Sequence, residues 1–344
     1  MKTAGVSLCA AMVFVLILGP ALLAQDQVPV TILYTNDLHA MLSPFEDEST
    51  GKAAGGFSRI SSLVEQVRQE EENVLLVDGG DSFVADHHLE GYYFQGEPVV
   101  KAMNQMDYDL AVPGNHDFEL GLGVLAQRVR EADFPYLAAN IVAADKADQG
   151  AQELLSQTKP YVVIPVGDIK IGVLGVTQPL HDFPGIKIED PVEVAQTYVP
   201  KIRQEADIVV VVAHQELEPD YRIVDQVDGI DLLLAAHDHG VLFDHGLMRN
   251  GTLIFKTSSW GREVGRIDLV AERGADGFHL QEAEVSLLPV TSETSEDPAM
   301  VQLLEPYLSQ AGRYRSLLIP VLVGVGLLVL AMLFLLMRRA MREP

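Results

Sequence analysis

Five apolar runs in this chain each lead directly into a cluster that contains Asp, Asn or His. TILYT leads into Asn36-Asp37-Leu38-His39, VLLV into Asp78-Gly79-Gly80-Asp81, and DLAVP into Gly114-Asn115-His116-Asp117. IVVVVA leads into His214, and DLLLAA into His237-Asp238-His239. The runs are short and rich in β-branched residues, so Val30–Tyr34, Val74–Val77, Leu110–Val112, Ile208–Val212 and Leu232–Ala235 read as buried strands, as does Ile171–Val176. Ile60–Arg68 and Val124–Val129 have helical spacing, and Thr252–Lys256 and Arg262–Val270 read as further strands. This alternation predicts an α/β layered domain. Open α/β folds place ligands just beyond the carboxyl ends of their strands, which is where the polar clusters fall.

Each cluster alone has an ordinary explanation. Asp37-x-His39 suits a turn, Asp78 and Asp81 suit a helix cap, and a lone His214 suits a hydrogen-bonded core histidine. His237 and His239 alternate on an extended segment, so they either share one site or lie on the surface. Taken together, the strand ends supply nitrogen and oxygen donors and no sulfur, a set suited to Zn, Mn, Co or Fe(II). A carboxylate can bridge two such ions about 3.5–4 Å apart, and the pair lowers the pKa of a shared water and grips phosphoryl oxygens. His87 and His88 read as loop or surface residues, and His181, His245 and His279 carry no signal. The chain has no G-x-x-x-x-G-K-S/T, H-E-x-x-H or G-x-S-x-G motif.

A formal net charge of −25 argues against nucleic-acid binding, which needs a basic footprint. With 344 residues, 48% of them hydrophobic, the chain can bury one large core or two small ones. Two apolar stretches stand apart from it. Val6–Ala24 follows Lys2 and reads as a secretory signal peptide over residues 1–24. Leu317–Met337 is long enough to span a bilayer as a helix, with Pro320 in its first turn and Arg338, Arg339 and Arg342 behind it. The expectation is a single-pass membrane protein whose main domain lies outside the cytoplasm and whose tail, 338–344, lies inside. Residues 291–316 read as a polar linker containing a short helix, Pro298–Gln310, with Met300, Leu303, Leu304 and Leu308 on one side. Cys9, the only cysteine, falls within the expected leader. Disulfides and thiolate ligands are therefore excluded from the mature domain.

The pieces TNDLH, GGDSF, GNHDFELG, the strand ending in His214, and AHDH stand in the order found in calcineurin-like metallophosphoesterases. From about Val28 to Leu288 the chain most closely resembles the catalytic domain of bacterial 5′-nucleotidases. That resemblance implies a four-layer α/β sandwich over 28–290 with two divalent metal ions at the sheet edge. One ion would be held by Asp37, His39 and His239, and the other by Asn115, His214 and His237, with Asp81 bridging. His116 would stabilise the transition state or protonate the leaving oxygen without being a ligand. Glu119 stands where the family often has an aspartate that orients this histidine, and Ala236 stands where a glycine is usual. Asp78, Asp117 and Asp238 would orient the ligands or their turns.

The implied function is hydrolysis of a small phosphorylated substrate, a phosphomonoester with nucleotides among the candidates, by attack of metal-bound hydroxide. Two rivals stand beside it: a non-catalytic membrane-tethered binding module on a phosphatase fold, and the same chemistry on a phosphodiester or non-nucleotide substrate. The complete set of competent ligand residues argues against the first. The family's 5′-nucleotidases continue into a domain that stacks the nucleoside base. Here EDPAMVQLLEPYLSQ resembles the helix leading to that domain, and an apolar run follows it. Nucleotide specificity is therefore not inherited from the resemblance, and an unidentified partner chain supplying a lid is a further expectation.

Overall fold

The computed structural model describes residues 27–314 except 49, 85–88, 179–182, 240–242 and 276, together with 316 and 332. The expected leader, His87, His88, His181, the arginine tail and, apart from Met332, the apolar run Leu317–Met337 lie outside the described residues. Among the described residues no helix is long and apolar enough to cross a membrane.

The first half of the chain forms β1 (Gln27–Thr35), β2 (Phe45–Asp47), β3 (Lys52–Ala54), α1 (Phe57–Glu70), β4 (Val74–Asp78), α2 (Leu89–Phe94), α3 (Glu97–Gln105), β5 (Leu110–Ala111), α4 (Leu122–Glu131), β6 (Ile141–Ala143) and α5 (Gln149–Gln157). The second half forms β7 (Tyr161–Val166), β8 (Ile169–Thr177), β9 (Ile186–Ile188), α6 (Pro191–Arg203), β10 (Ile208–His214), α7 (Leu217–Gln226), β11 (Leu232–Ala235), β12 (Phe243–Arg249), β13 (Thr252–Lys256), β14 (Glu263–Gly274) and β15 (Gly277–Pro289). A last helix occupies residues 298–314.

Two sheets follow from the pairing. One has the order β15-β14-β1-β4-β5, the other β12-β13-β11-β10-β8-β7. Their centres are parallel, β1 with β4 and β5, and β8 with β10, β11 and β13. Strand periodicity then sorts the side chains. In β10, Ile208, Val210 and Val212 point into the core between the sheets, while Val209, Val211 and Ala213 point into a second core lined by Val194, Val199 and Ile223 of α6 and α7. Ile32 and Tyr34 of β1 enter the inter-sheet core as well, whereas Leu33 joins a third cluster with Phe57, Val64, Val99 and Leu125 from α1, α3 and α4. The result is helix, sheet, sheet, helix: the layered α/β class expected from the sequence.

The parallel registers bring the polar strand ends to one edge. Thr35 pairs with Asp78, Asp78 with Ala111, Ala213 with Ala235, and His214 with Thr177. The Tyr34 hydroxyl donates to the Ala235 carbonyl at 2.9 Å and ties the two sheets together at that edge. Parts of the segment expected as a linker are instead docked. In the 298–314 helix Met300 and Leu304 are fully buried in the core shared with α1 and α3, with Leu303 and Leu308 packed beside them. Each buried side chain of this kind contributes about 1.5–3 kcal/mol by leaving water.

Candidate metal centre

The loops after β1 and β4 run side by side. The backbone N–H groups of Asp37, His39 and Ala40 donate to the carbonyls of Gly80, Asp81 and Ser82 at 2.8, 2.8 and 2.9 Å. This path demands unusual backbone: Asp37, His39, Ala40, Asp81, His237 and Trp260 all have φ between 51° and 72°. Left-handed conformations at residues with a Cβ are uncommon and gather at functional sites. The third loop approaches so closely that a Cβ on Gly114 would sit 2.1 Å from Asp81 Oδ1. Only glycine fits there.

Two groups of three donors result. Asp37, His39 and His239 each offer an atom within 4.8 Å of the others, as do Asp81, His214 and His237. His39 Nε2 lies 3.0 Å from His239 Nε2, which lies 3.1 Å from Asp37 Oδ1. His214 Nε2 lies 3.1 Å from Asp81 Oδ2 and 3.0 Å from Asn115 Oδ1. The other ring nitrogens decide what these contacts mean. His39 Nδ1–H donates to the Val84 carbonyl and His214 Nδ1–H to the Gly79 carbonyl, each at 2.7 Å. A carbonyl only accepts, so in the neutral rings both Nε2 lone pairs face the clusters, the arrangement found when imidazole binds a metal.

Lone pairs that converge on the buried carboxylates of Asp37 and Asp81 call for a cation. The Asp81 carboxylate and then Asp37, working against burial, hold the His214 imidazole up to about 10, so the site takes a positive charge even as a proton. Asp37 and Asp81 are held below the ordinary carboxylate range, against burial, by the surrounding histidines. Asn115 Nδ2 is buried without a hydrogen-bond partner. The donor set therefore fits two divalent ions.

The neighbouring aspartates have a different role. Asp117 accepts from the N–H groups of Asp81, Phe83 and Gly114 at 3.1, 2.9 and 2.9 Å. Asp78 accepts from Thr35 Oγ1, Ser82 Oγ and Gly80 N at 2.7, 2.7 and 3.0 Å. Burial pushes both carboxyls up to about 7. Asp238 accepts from Leu217 N at 3.0 Å. All three brace loops.

His116 stands beside the clusters and belongs to neither. Its N–H donates to Asp81 Oδ1 at 2.7 Å, and its ring lies 5.4 Å from that of His39. Residues 116–120 form a turn of 3₁₀-helix, in which positions i and i+3 eclipse. This places Glu119 Oε1 3.0 Å from His116 Nδ1.

Three residues of the site were not expected from the sequence. Trp260, whose N–H donates to the Asp37 carbonyl at 2.7 Å, packs edge-on against His239 with ring centroids 5.7 Å apart. Lys256 is buried at the end of β13, and its ammonium donates to the carbonyls of Ala236 and Asp238, holding the loop that carries His237 and His239. Tyr92 donates to Glu119 Oε2. A lone tryptophan before a glycine and a lysine closing an apolar strand were the only local signals for the first two. Tyr92 had none.

Comparison with known proteins agrees with this geometry. A model of the calcineurin-like phosphoesterase family matches residues 30–241. The human 5′-nucleotidase is 32% identical over 226 residues, 62% of this chain and 38% of that protein. The trifunctional nucleotide phosphoesterase YfkN of Bacillus subtilis is 27% identical over 300 residues, 74% of this chain and 20% of that protein. The chain thus spans less than half the length of these curated relatives. Among solved structures, a 5′-nucleotidase precursor from Thermus thermophilus superposes with a TM-score of 0.73 at 26% identity, covering 83% of this chain and 59% of that one. The calcineurin-like phosphoesterase YfkN superposes with a TM-score of 0.71 at 25% identity, covering 84% of this chain and 99% of that one. The fold, the ordered strand-end motifs and the matched span lead to one conclusion: the chain belongs to the calcineurin-like phosphoesterase family.

Proposed function

We propose that this protein hydrolyses phosphomonoesters, nucleoside monophosphates among them, with the help of two divalent ions. The observation that carries the reading is the pair of three-donor clusters lying side by side with His116 next to both. Asp37, His39 and His239 would hold one ion, and Asn115, His214 and His237 the other, with Asp81 between them. When bound, such ions activate water and offset phosphoryl charge. The chain's own residues do the rest. Asp117 and Asp78 keep the ligand loops in register, and Lys256 fixes the carbonyls beside His237 and His239. Glu119 accepts the Nδ1–H of His116, so that Nε2 is the nitrogen that handles the proton of the leaving oxygen.

The decisive experiment is metal analysis of the purified full chain, with hydrolysis of a phosphoester panel measured before and after chelation. Activity should vanish with the metal and return with Mn, Zn or Co; full turnover in a metal-free sample would end the reading. The panel also tests substrate class. An aryl phosphate and nucleoside monophosphates should have comparable kcat/KM, because the described site recognises the phosphoryl group they share.

We further infer an extracytoplasmic, membrane-anchored location, supported by the pattern of the leader and the apolar run Leu317–Met337 in the sequence. Protease added outside intact cells, with any outer barrier opened, should degrade the phosphoesterase domain. Complete protection would place it inside.

A further inference from the structure

Glu119 is gripped through both oxygens of its carboxylate. Oε1 faces His116 Nδ1 at 3.0 Å, and Oε2 accepts from the Tyr92 hydroxyl. A glutamate has one more rotatable bond than an aspartate, so the contact with His116 alone leaves its terminus free to swing at a partly exposed position. The phenol removes that freedom. Tyr92 belongs to α2, whose six residues are too few to stand as a helix without tertiary support.

That support comes from the far end of the described chain. Tyr93 packs on Tyr314 with ring centroids 4.4 Å apart, and Phe94 meets Tyr307 edge-on at 5.1 Å. Gln310 Nε2 donates to the Tyr93 hydroxyl at 3.0 Å, and the Tyr307 hydroxyl donates to Glu97 Oε1 of α3 at 2.8 Å. The 298–314 helix is itself anchored through Met300 and Leu304. A continuous line of contacts therefore runs from this helix through α2 to Glu119 and the histidine beside the metal clusters.

We propose that Tyr92 is a positioning residue for His116, acting through Glu119, and that the 298–314 helix sets the place of α2 and hence of Tyr92. Tyr92 is a member of neither donor cluster, and its proposed effect is on the direction in which the imidazole points. The kinetic consequences rest on the phosphoesterase reading; the orientation of His116 does not.

The test is a double-mutant cycle on the full chain together with a spectroscopic measurement. Tyr92→Phe should lower kcat by about tenfold, the usual scale for losing one hydrogen bond to a charged group, with KM and metal content within about twofold of wild type. In a His116→Ala background the same substitution should cost less than about twofold, because there is no longer an imidazole to position. Equal losses in both backgrounds would show that Tyr92 acts on the fold at large and would overturn the proposal. Tyr314→Ala should repeat the pattern with a smaller loss. In ¹⁵N-histidine-labelled protein, Tyr92→Phe should shift the ring nitrogen signals of His116, assigned with His116→Ala, and leave those of His214 in place. Unchanged His116 signals would overturn the proposal on their own. If the wild type hydrolysed no phosphoester, the functional reading would fail while the spectra still decided the role of Tyr92.

Discussion

Gly114→Ala is a demanding test because it adds a single methyl group. At Gly114 a Cβ would lie 2.1 Å from Asp81 Oδ1 and 2.2 Å from Asp81 N, distances that must open to at least 3.0 Å. The loop after β4 or the loop after β5 therefore moves by about 0.9 Å. Asp81 Oδ1 also accepts the His116 N–H, so the shift reaches the proposed bridging ligand and the proposed acid together. Overpacking of this kind costs about 1–3 kcal/mol, and a 1 Å misplacement in a catalytic constellation costs on the order of 100-fold in rate. The expected outcome is a Tm lowered by roughly 2–8 °C, reduced metal content and turnover down by about two orders of magnitude. Gly123→Ala is the control: no atom lies within 4 Å of its Cβ, and it sits in α4. There alanine should be neutral or stabilise by up to about 1 kcal/mol. Differential scanning calorimetry, metal analysis by mass spectrometry and steady-state kinetics on both variants give the comparison. Gly114→Ala with full metal content and activity within about threefold of wild type would refute the close-approach argument.

His116→Ala should keep near-normal metal content while losing about two to four orders of magnitude in turnover, whereas Asp81→Ala should lose metal; equal depletion in both would remove His116 from its non-ligand role. Asp220 is fully buried, with Oδ1 accepting from Gln215 Nε2 at 2.8 Å and Oδ2 unpartnered, and burial pushes its carboxyl well up. The folded state thus keeps this proton after the unfolded chain has released it. Stability is then lost as pH rises above the ordinary aspartate value of about 3.9, by at most about 1.4 kcal/mol per pH unit. Asp220→Asn should remove that loss, so the stability difference between variant and wild type should grow in the variant's favour from about pH 5 to about pH 8. Denaturant unfolding at several pH values reads it, and a constant difference would count against the reasoning.

Elements with strong local pattern were legible in the sequence. β8, β10, β11 and β13 are nearly continuous β-branched or leucine-rich runs, because strands buried on both faces admit no polar alternation. β15 was less legible: its sequence GFHLQEAEVSLLP mixes charges with apolar residues, and it declares itself only by pairing with β14. α2 and α3 are short; α3 places Val99, Val100 and Met103 on one face but runs for only nine residues, against fourteen for α1. The segment 298–314 has an apolar stripe, but a stripe does not say what it will dock against.

The site divides along the same line. Asp37, His39, Asp81, Asn115, His116, His214, His237 and His239 were readable because each follows a strand, and parallel registers carry strand ends to one edge. Glu119 was readable only through the family resemblance, which expects an acidic residue three positions after the histidine; the 3₁₀ turn that brings the two side chains together is a feature of the structure. The sequence by itself thus determined the fold class, the donor chemistry and the order in which the donors arrive. Only the tertiary structure decided that Lys256 holds the loop of His237, that Trp260 backs His239, and that Tyr92 reaches Glu119. These partners lie outside the strand-end motifs or far along the chain from what they touch, and no local propensity encodes such contacts. They exist because two sheets, locked by Tyr34 and Ala235, and a docked helix bring distant side chains within a few ångströms of one another.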